Sequence, residues 1–215
     1  MREIQTTITV YKYDELSEEA KDRVLDAMFT INVDDQYWFE FIMEDIALLG
    51  QVSGLGCSYC GEFDIDQYDY INIEGINTKL SVLWASLGSV SRDFSHFYTK
   101  VLQPFMVHFS SKQIRQLLRL ERHGLLGWLS GHTGTRRTPA CANIERFDHD
   151  CMKYCNALLN RLEEAWELFI AEMADYFVAL LRDKHAYQTS REAIEDSISA
   201  KEYEFTEDGS LITLP

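Results

Sequence analysis

The chain has 215 residues, of which 46 % are hydrophobic and 13 % aromatic, and this composition excludes an intrinsically disordered protein. Its 35 acidic and 20 basic residues give a net charge of −15, which disfavours non-specific binding to nucleic acid. No apolar run of about 18 residues occurs, so the sequence predicts no membrane span. Five cysteines without an export signal predict reduced thiols and a soluble intracellular protein.

The N-terminal region predicts one strand followed by two helices. Residues 4–13 are rich in Thr, Val, Ile and Tyr, which is typical of a strand. Asp14 or Ser17 can cap the first helix, since acidic residues fill the turn that follows. A second helical pattern runs from about Asp34 to Leu49, and Gly50 is expected to end it.

The middle of the chain alternates between short strands and short helices. Residues 52–75 are punctuated by glycines and predict two or three strands. Apolar residues at helical spacing predict short helices at 80–87 and 94–102. Ser110 can cap a helix that continues to about Arg122, and residues 131–139 are loop-like in composition.

The C-terminal region contains the longest helical pattern, from about Glu145 to Lys184, and we place the long helix at about 150–184. Thr189 with Glu192 predicts a capping box for a last short helix, and an Asp-Gly pair predicts a final hairpin. The fold class is therefore α+β, a single domain over residues 1–215. In it, several helices pack with a small antiparallel sheet from the N-terminal strand, residues 52–74 and the C-terminal hairpin.

The two ends of the chain carry a family resemblance. Residues 11–21 at one end, with 189–194 and 202–209 at the other, resemble an uncharacterised family of small acidic bacteriophage and prophage proteins. Some members carry the label antitoxin by automated transfer. The resemblance implies phage origin and action in the cytoplasm of a bacterial host. It does not extend to residues 76–150, and it implies no catalytic residue.

The cysteines allow a zinc site as an alternative to simple buried thiols. Cys57 and Cys60 have C-x-x-C spacing, Cys151 and Cys155 form a second pair, and His149 is a spare ligand. Cysteine is also among the most buried residue types, which favours the structural interpretation. No nucleophile elbow, P-loop or H-E-x-x-H motif occurs. We therefore predict a protein that is not an enzyme and has no metal or cofactor.

Charge is sorted along the chain. Residues 1–75 hold 4 basic and 17 acidic side chains, residues 76–140 hold 9 and 2, and residues 141–215 hold 7 and 16. The net charges are therefore −13, +7 and −9. Two acidic thirds around a basic third indicate recognition by charge, within the fold or outside it.

The basic third supplies one candidate site. Four cations are spaced by 3, 4 and 3 residues, which places them on one face of a helix: Lys112, Arg115, Arg119 and Arg122. Two further arginines, Arg136 and Arg137, follow in a loop. Glycines and hydroxyls beside the loop arginines can hold a phosphate. The hypothesis is a nucleic-acid or nucleotide site in the segment 112–137. The alternative is that the cations pair with the protein's own acidic helices or across a homo-oligomer.

The acidic N-terminal third supplies the other candidate site. Its carboxylates can imitate a row of phosphates, and those expected to bind a partner are Glu18, Glu19, Asp22, Asp34, Asp35 and Glu40. The leading hypothesis is a non-enzymatic phage protein that inhibits a host protein with a basic surface, as an anti-defence or antitoxin-like inhibitor. Solvated helix faces are the structural alternative, and no membrane partner is expected.

Overall fold

The computed structural model describes residues 9–34, 36–65, 70–135, 137–147 and 155–212. Its helices and strands fit a single α+β domain, which confirms the fold class. Within the chain, the backbone contacts form two compact groups. Unit 1 comprises residues 1–40 and 183–215, and unit 2 comprises residues 41–182.

Helices dominate the described chain. The helices are α1 (Glu18–Ala27), α2 (Glu40–Ser53), α3 (Leu80–Ala85), α4 (Leu87–Asp93), α5 (Ser95–Phe97), α6 (Gln103–Val107), α7 (Ser111–Arg122), α8 (Asn156–Gln188) and α9 (Arg191–Ala200). Short 3-10 turns lie at Tyr13–Glu15 and Gln36–Phe39, and a π-helical turn at Tyr98–Leu102 connects α5 to α6. The 33 residues of α8 confirm the predicted long C-terminal helix.

The strands of unit 2 form two antiparallel sheets. The strands are β1 (Ser58–Asp64), β2 (Tyr70–Glu74), β3 (Ile76–Thr78), β4 (Leu126–His132) and β5 (Cys141–Arg146). One sheet pairs β1 with β2, and the other has the order β3-β4-β5. Thr133 joins the two sheets, because its N–H donates to the Ile73 carbonyl at 3.0 Å and its hydroxyl accepts the Ile73 N–H at 2.8 Å.

Unit 1 has its own apolar core between α1, α9 and the chain ends. The buried members are Tyr13, Leu16, Ala20, Val24, Ile194, Ile198 and Phe205. Phe205 makes isolated bridges to Tyr11 and to Leu211, which ties the N-terminal segment to the predicted C-terminal hairpin. Residues 4–8 of the predicted N-terminal strand lie outside the described residues. In the described part, the N-terminal segment and the C-terminal hairpin form these isolated bridges instead of joining a sheet with residues 52–74, as the sequence had predicted.

The hairpin turn packs directly on α1 through Gly209. Its φ is +88°, and a Cβ there would lie 2.7 Å from the Ala20 carbonyl oxygen and 3.1 Å from Val24 Cγ2. Glycine is the residue that combines this conformation with so close an approach.

Replacing Gly209 with Ala is therefore expected to lower the free energy of unfolding by about 2 kcal/mol, from backbone strain together with overlap. The matched control is Gly124→Ala, where φ is +70° but nothing lies within 4 Å, so backbone strain alone costs about 1 kcal/mol. Urea unfolding of both variants measures the difference. Equal losses would show that the close approach to α1 has no energetic role.

Unit 2 is built around an aromatic core. Trp166 stacks on Phe169 at 4.9 Å between ring centroids, with 10° between the ring planes. The Phe105 ring lies 6.0 Å from Trp166, and Phe97 packs edge-on against Phe169 at 6.5 Å. These rings join α5 and α6 to the α8 segment of unit 2, because offset and edge-on aromatic pairs pack closely in cores.

The ends of α2 differ from the prediction. The helix begins at Glu40, after the 3-10 turn, and continues through Gly50 to Ser53. Gly54, with φ +69°, takes the terminating role expected of Gly50. Gly50 has a different function, since a Cβ there would lie 2.8 Å from the Leu55 carbonyl oxygen and 3.0 Å from Cys57 Sγ.

Two further boundaries in the second half of the chain are corrected. Glu145, where the long helical pattern starts, belongs to β5, and α8 begins only at Asn156. The predicted capping residue Thr189 instead donates its hydroxyl to the His185 carbonyl at 2.9 Å. Ser190 is the cap of α9, and its hydroxyl accepts the Ala193 N–H at 3.3 Å.

Candidate functional site

The acidic helix α1 starts where its sequence predicts. The Ser17 hydroxyl accepts the Ala20 N–H at 3.3 Å, and Glu18 and Glu19 occupy the first turn. Negative charge is favourable there because the helix dipole is positive at its N-terminus. Ala20 and Val24 are buried on the inner face, so the carboxylates of α1 are directed outward.

One arginine organises the outer face of α1. The Arg191 guanidinium lies 3.2 Å from Asp22, 2.8 Å from Glu195 and 4.0 Å from Glu18. Its hydrogen bond holds the pKa of Glu195 below the usual value. Burial, with the hydrogen bond to Glu195, raises the pKa of Tyr13 to about 12. Lys21 also pairs with Glu18 at 3.0 Å, so two cations face three carboxylates and the cluster keeps a net negative charge.

The six predicted partner-binding carboxylates divide into three groups. Glu18 and Asp22 pair with Arg191, yet their side chains remain 78 % and 66 % exposed. Glu19, Asp34 and Glu40 are exposed, and among the described residues no cation lies within ion-pair distance of them. Asp35 lies outside the described residues.

The cationic helix α7 also forms for local reasons. The Ser110 hydroxyl accepts the Gln113 N–H at 3.3 Å, and the Gln113 side chain accepts the Ser110 N–H at 2.9 Å, which completes a capping box. Ile114, Leu117 and Leu120 are buried on one side. The opposite side is therefore left to solvent.

The structure places the predicted cationic stripe on that exposed side. Lys112, Arg115, Arg119 and Arg122 are all exposed, as their spacing predicts. Within the described part of the chain, none of the four forms an ion pair. The stripe is thus available to a ligand in this chain.

In the loop predicted to hold a phosphate, residues 131–139, polar groups form hydrogen bonds within the protein. The Thr135 hydroxyl accepts the N–H groups of Arg137 at 3.2 Å and Thr138 at 3.1 Å, and it bonds the Thr138 hydroxyl at 2.7 Å. The Thr133 hydroxyl accepts a hydrogen bond from the Ile73 N–H of β2. The Arg137 side chain is exposed, and Arg136 lies outside the described residues.

The cysteines of the zinc alternative are only partly described. Burial raises the pKa of the Cys57 thiol to about 11, which favours the protonated form over the thiolate that zinc needs. Cys155 Sγ lies 3.6 Å from Gln116 Nε2. The side chain of Cys60, together with His149 and Cys151, lies outside the described residues. Across the residues the structure does describe, no three potential metal ligands cluster together.

Sequence reasoning missed several exposed aromatic side chains. Phe29 and Tyr37 of unit 1 are 51 % and 67 % exposed, and Trp128 of unit 2 is 46 % exposed. The Lys79 ammonium lies 5.1 Å from the centre of the Trp128 ring, within cation–π range. Alternation of apolar and polar residues around Trp128 would have predicted a strand with one exposed face, but Gly127 interrupts that alternation.

Comparisons with protein-family models, with curated proteins and with solved structures find no match to the chain. The resemblance to phage proteins therefore stays a prediction. Among the described helices, none combines the length and the apolar character needed to cross a bilayer.

Proposed function

We propose that the chain is a non-enzymatic, phage-encoded binding protein that inhibits a host protein through the acidic surface of unit 1. The observation that carries the proposal is a set of exposed carboxylates that have no cation partner among the described residues: Glu19, Asp26, Asp34 and Glu40. Charges left unpaired in a folded chain are free to attract a partner of the opposite sign.

The charge of unit 1 supports a basic partner. Its residues include 18 acidic and 7 basic side chains, a net of −11 of the chain's −15. Because clustered charge of one sign steers diffusional encounter, a protein with a basic groove would associate quickly. Suitable targets are defence nucleases, CRISPR effectors, toxins and other nucleic-acid-binding enzymes, whose basic grooves normally hold phosphates.

Exposed aromatic side chains in the same unit supply anchors for affinity. Phe29 follows Asp26 closely in the chain, and Tyr37 lies between Asp34 and Glu40. Interfaces derive most of their free energy from a few buried aromatic or arginine side chains, whereas peripheral charges mainly set the association rate. The combination of carboxylates with aromatic rings therefore fits a protein partner.

The test uses a charge-neutralising variant, E19Q/D34N/E40Q, beside the parent chain as bait in bacterial lysate. We expect the parent chain to retain a basic, nucleic-acid-processing protein at about 50 mM salt. Association of the purified pair should be at least about tenfold slower for the variant. The purified chain should also inhibit the captured protein's activity on nucleic acid.

The matched control is E164Q/E167Q/D175N, which removes three exposed carboxylates of α8 in unit 2. It changes the net charge equally and should leave association within about twofold of the parent chain. No retained protein at low or high salt would contradict the proposal. So would equal slowing by the two triple variants, because net charge rather than the unit 1 surface would then control binding.

A further inference from the structure

The exposed side of α7 carries positive charge alone. Lys112, Arg115, Arg119 and Arg122 lie there, and the acidic residue of the helix, Glu121, points elsewhere. Its carboxylate accepts the Ser81 N–H at 3.0 Å and the Ser81 hydroxyl at the start of α3. The cationic side is therefore not neutralised by its own helix.

The length of this row matches a short stretch of nucleic-acid backbone. From Lys112 to Arg122 the helix rises about 15 Å, at about 1.5 Å per residue. Measured along its axis, one strand of stacked nucleic acid carries a phosphate about every 3.4 Å, so a stretch as long as the row holds about four phosphates. Four cations thus face a similar number of negative charges.

An exposed aromatic ring, that of Trp128, belongs to β4, the strand that packs against α7. Lys79, whose ammonium lies 5.1 Å from the Trp128 ring centre, is two residues from Ser81, which bonds Glu121 next to Arg122. The nearby carboxylate of Glu145 is held by the backbone, since its Oε2 accepts the backbone N–H of Trp128 at 3.1 Å. A solvent-exposed tryptophan beside cations can stack on an unpaired base.

We propose that the α7 patch, which comprises the four cations of α7 with Lys79 and Trp128, binds single-stranded nucleic acid. The cations contact the phosphates of one strand, and Trp128 stacks on a base at the end of that row. A duplex would contact the cations but would not offer a free base face to Trp128. The α7 patch lies wholly in unit 2 and does not depend on the function proposed for unit 1.

The experiment measures fluorescence anisotropy of labelled ~20-nucleotide oligo-dT, oligo-U and a duplex of the same length, with the full chain titrated at about 50 mM salt. Both single strands should bind more tightly than the duplex. The logarithm of the association constant should fall against the logarithm of salt concentration with a slope of about −3, since each neutralised phosphate contributes about −0.7. The two single strands together test whether DNA or RNA is preferred.

Variants assign the binding to the α7 patch. R115Q/R119Q should weaken single-strand binding by about 30-fold and reduce the salt slope. The matched control R23Q/K100Q removes two exposed cations elsewhere and should change affinity by less than about threefold. Trp128→Ala should weaken binding by about tenfold without changing the salt slope, because stacking is not ionic.

Several outcomes would overturn the proposal. No binding of either single strand at about 50 mM salt is one, and equal weakening by R115Q/R119Q and R23Q/K100Q is another. Single-strand binding that Trp128→Ala leaves unchanged would exclude the stacking role, and so would a duplex that binds as tightly as the single strands. Light scattering in which R115Q/R119Q dissociates an oligomer of a chain that binds no nucleic acid would assign the row to a second copy.

Discussion

Replacing Trp166 with Ala is expected to lower the free energy of unfolding by about 3–5 kcal/mol, the largest single effect of any change considered. The side chain is fully buried, stacks on Phe169 at 4.9 Å, and donates its Nε1–H to the Ser130 carbonyl at 2.9 Å. Truncation would leave a large cavity among aromatic rings and would remove the side-chain hydrogen bond to β4. Urea unfolding followed by far-UV circular dichroism measures the loss.

Two control variants separate the causes of that loss. Trp166→Phe keeps an aromatic ring but removes the donor, so it should cost about 1–2 kcal/mol. Trp128→Ala removes the same side chain from an exposed position and should cost about 1 kcal/mol or less. Similar losses for Trp166→Ala and Trp128→Ala would contradict the aromatic core described for unit 2.

Replacing Asn32 with Asp is expected to lower the free energy of unfolding by about 2–4 kcal/mol at neutral pH. Asn32 Nδ2 donates to the Gln188 carbonyl at 3.0 Å and the Ala193 carbonyl at 3.1 Å, and Oδ1 accepts the Ser197 hydroxyl at 2.6 Å. A carboxylate would keep the last bond but face two carbonyl oxygens without a proton. The amide is therefore specifically required between α8 and α9.

The pH dependence of N32D provides a second measurement. The two carbonyls disfavour the charged form, so the pKa of the new carboxyl should rise above its unfolded value of about 3.9. A raised folded pKa means that the penalty is present at neutral pH and decreases as pH falls through that pKa. The exposed control Asn143→Asp should cost less than about 0.5 kcal/mol. A penalty for N32D that is constant between pH 7 and 4 would exclude the repulsion.

Helix starts with local signals were predictable from the sequence. Ser17 and Ser110 cap α1 and α7 as expected, because an N-cap depends on residues within one turn. The predicted end of α2 at Gly50 was wrong. Glycine is also needed where two parts of the chain come very close, and at position 50 those neighbours are Leu55 and Cys57. Such tertiary causes have no local pattern.

The central strands could not be recognised in the same way. β4 contains Gly127, Ser130 and Gly131, and β5 ends in polar residues, so neither has the alternation of a half-buried strand. Their stability comes from pairing with each other and, through Thr133, with β2. Whether β4 and β5 form strands therefore depends on residues that are distant in the sequence.

The candidate sites were predictable where helical spacing alone decides exposure. The row from Lys112 to Arg122 required only the helical period and a buried opposite face. The Arg191 cluster was missed because Arg191 and Asp22 are 169 positions apart in the chain. Trp128 was missed because tryptophan is normally largely buried, and its exposure depends on which face of β4 meets the core.

The partly buried thiol of Cys57 can report local motion in unit 2. Its Sγ lies 3.5 Å from the Ile46 carbonyl oxygen, and the raised pKa keeps it protonated at neutral pH. Since the thiolate is the form of cysteine that alkylating reagents attack, we expect Cys57 to react slowly and its rate to rise when the α2–β1 connection opens. Cys141 is exposed and serves as the reference, so the ratio of the two alkylation rates reports how strongly the fold protects Cys57.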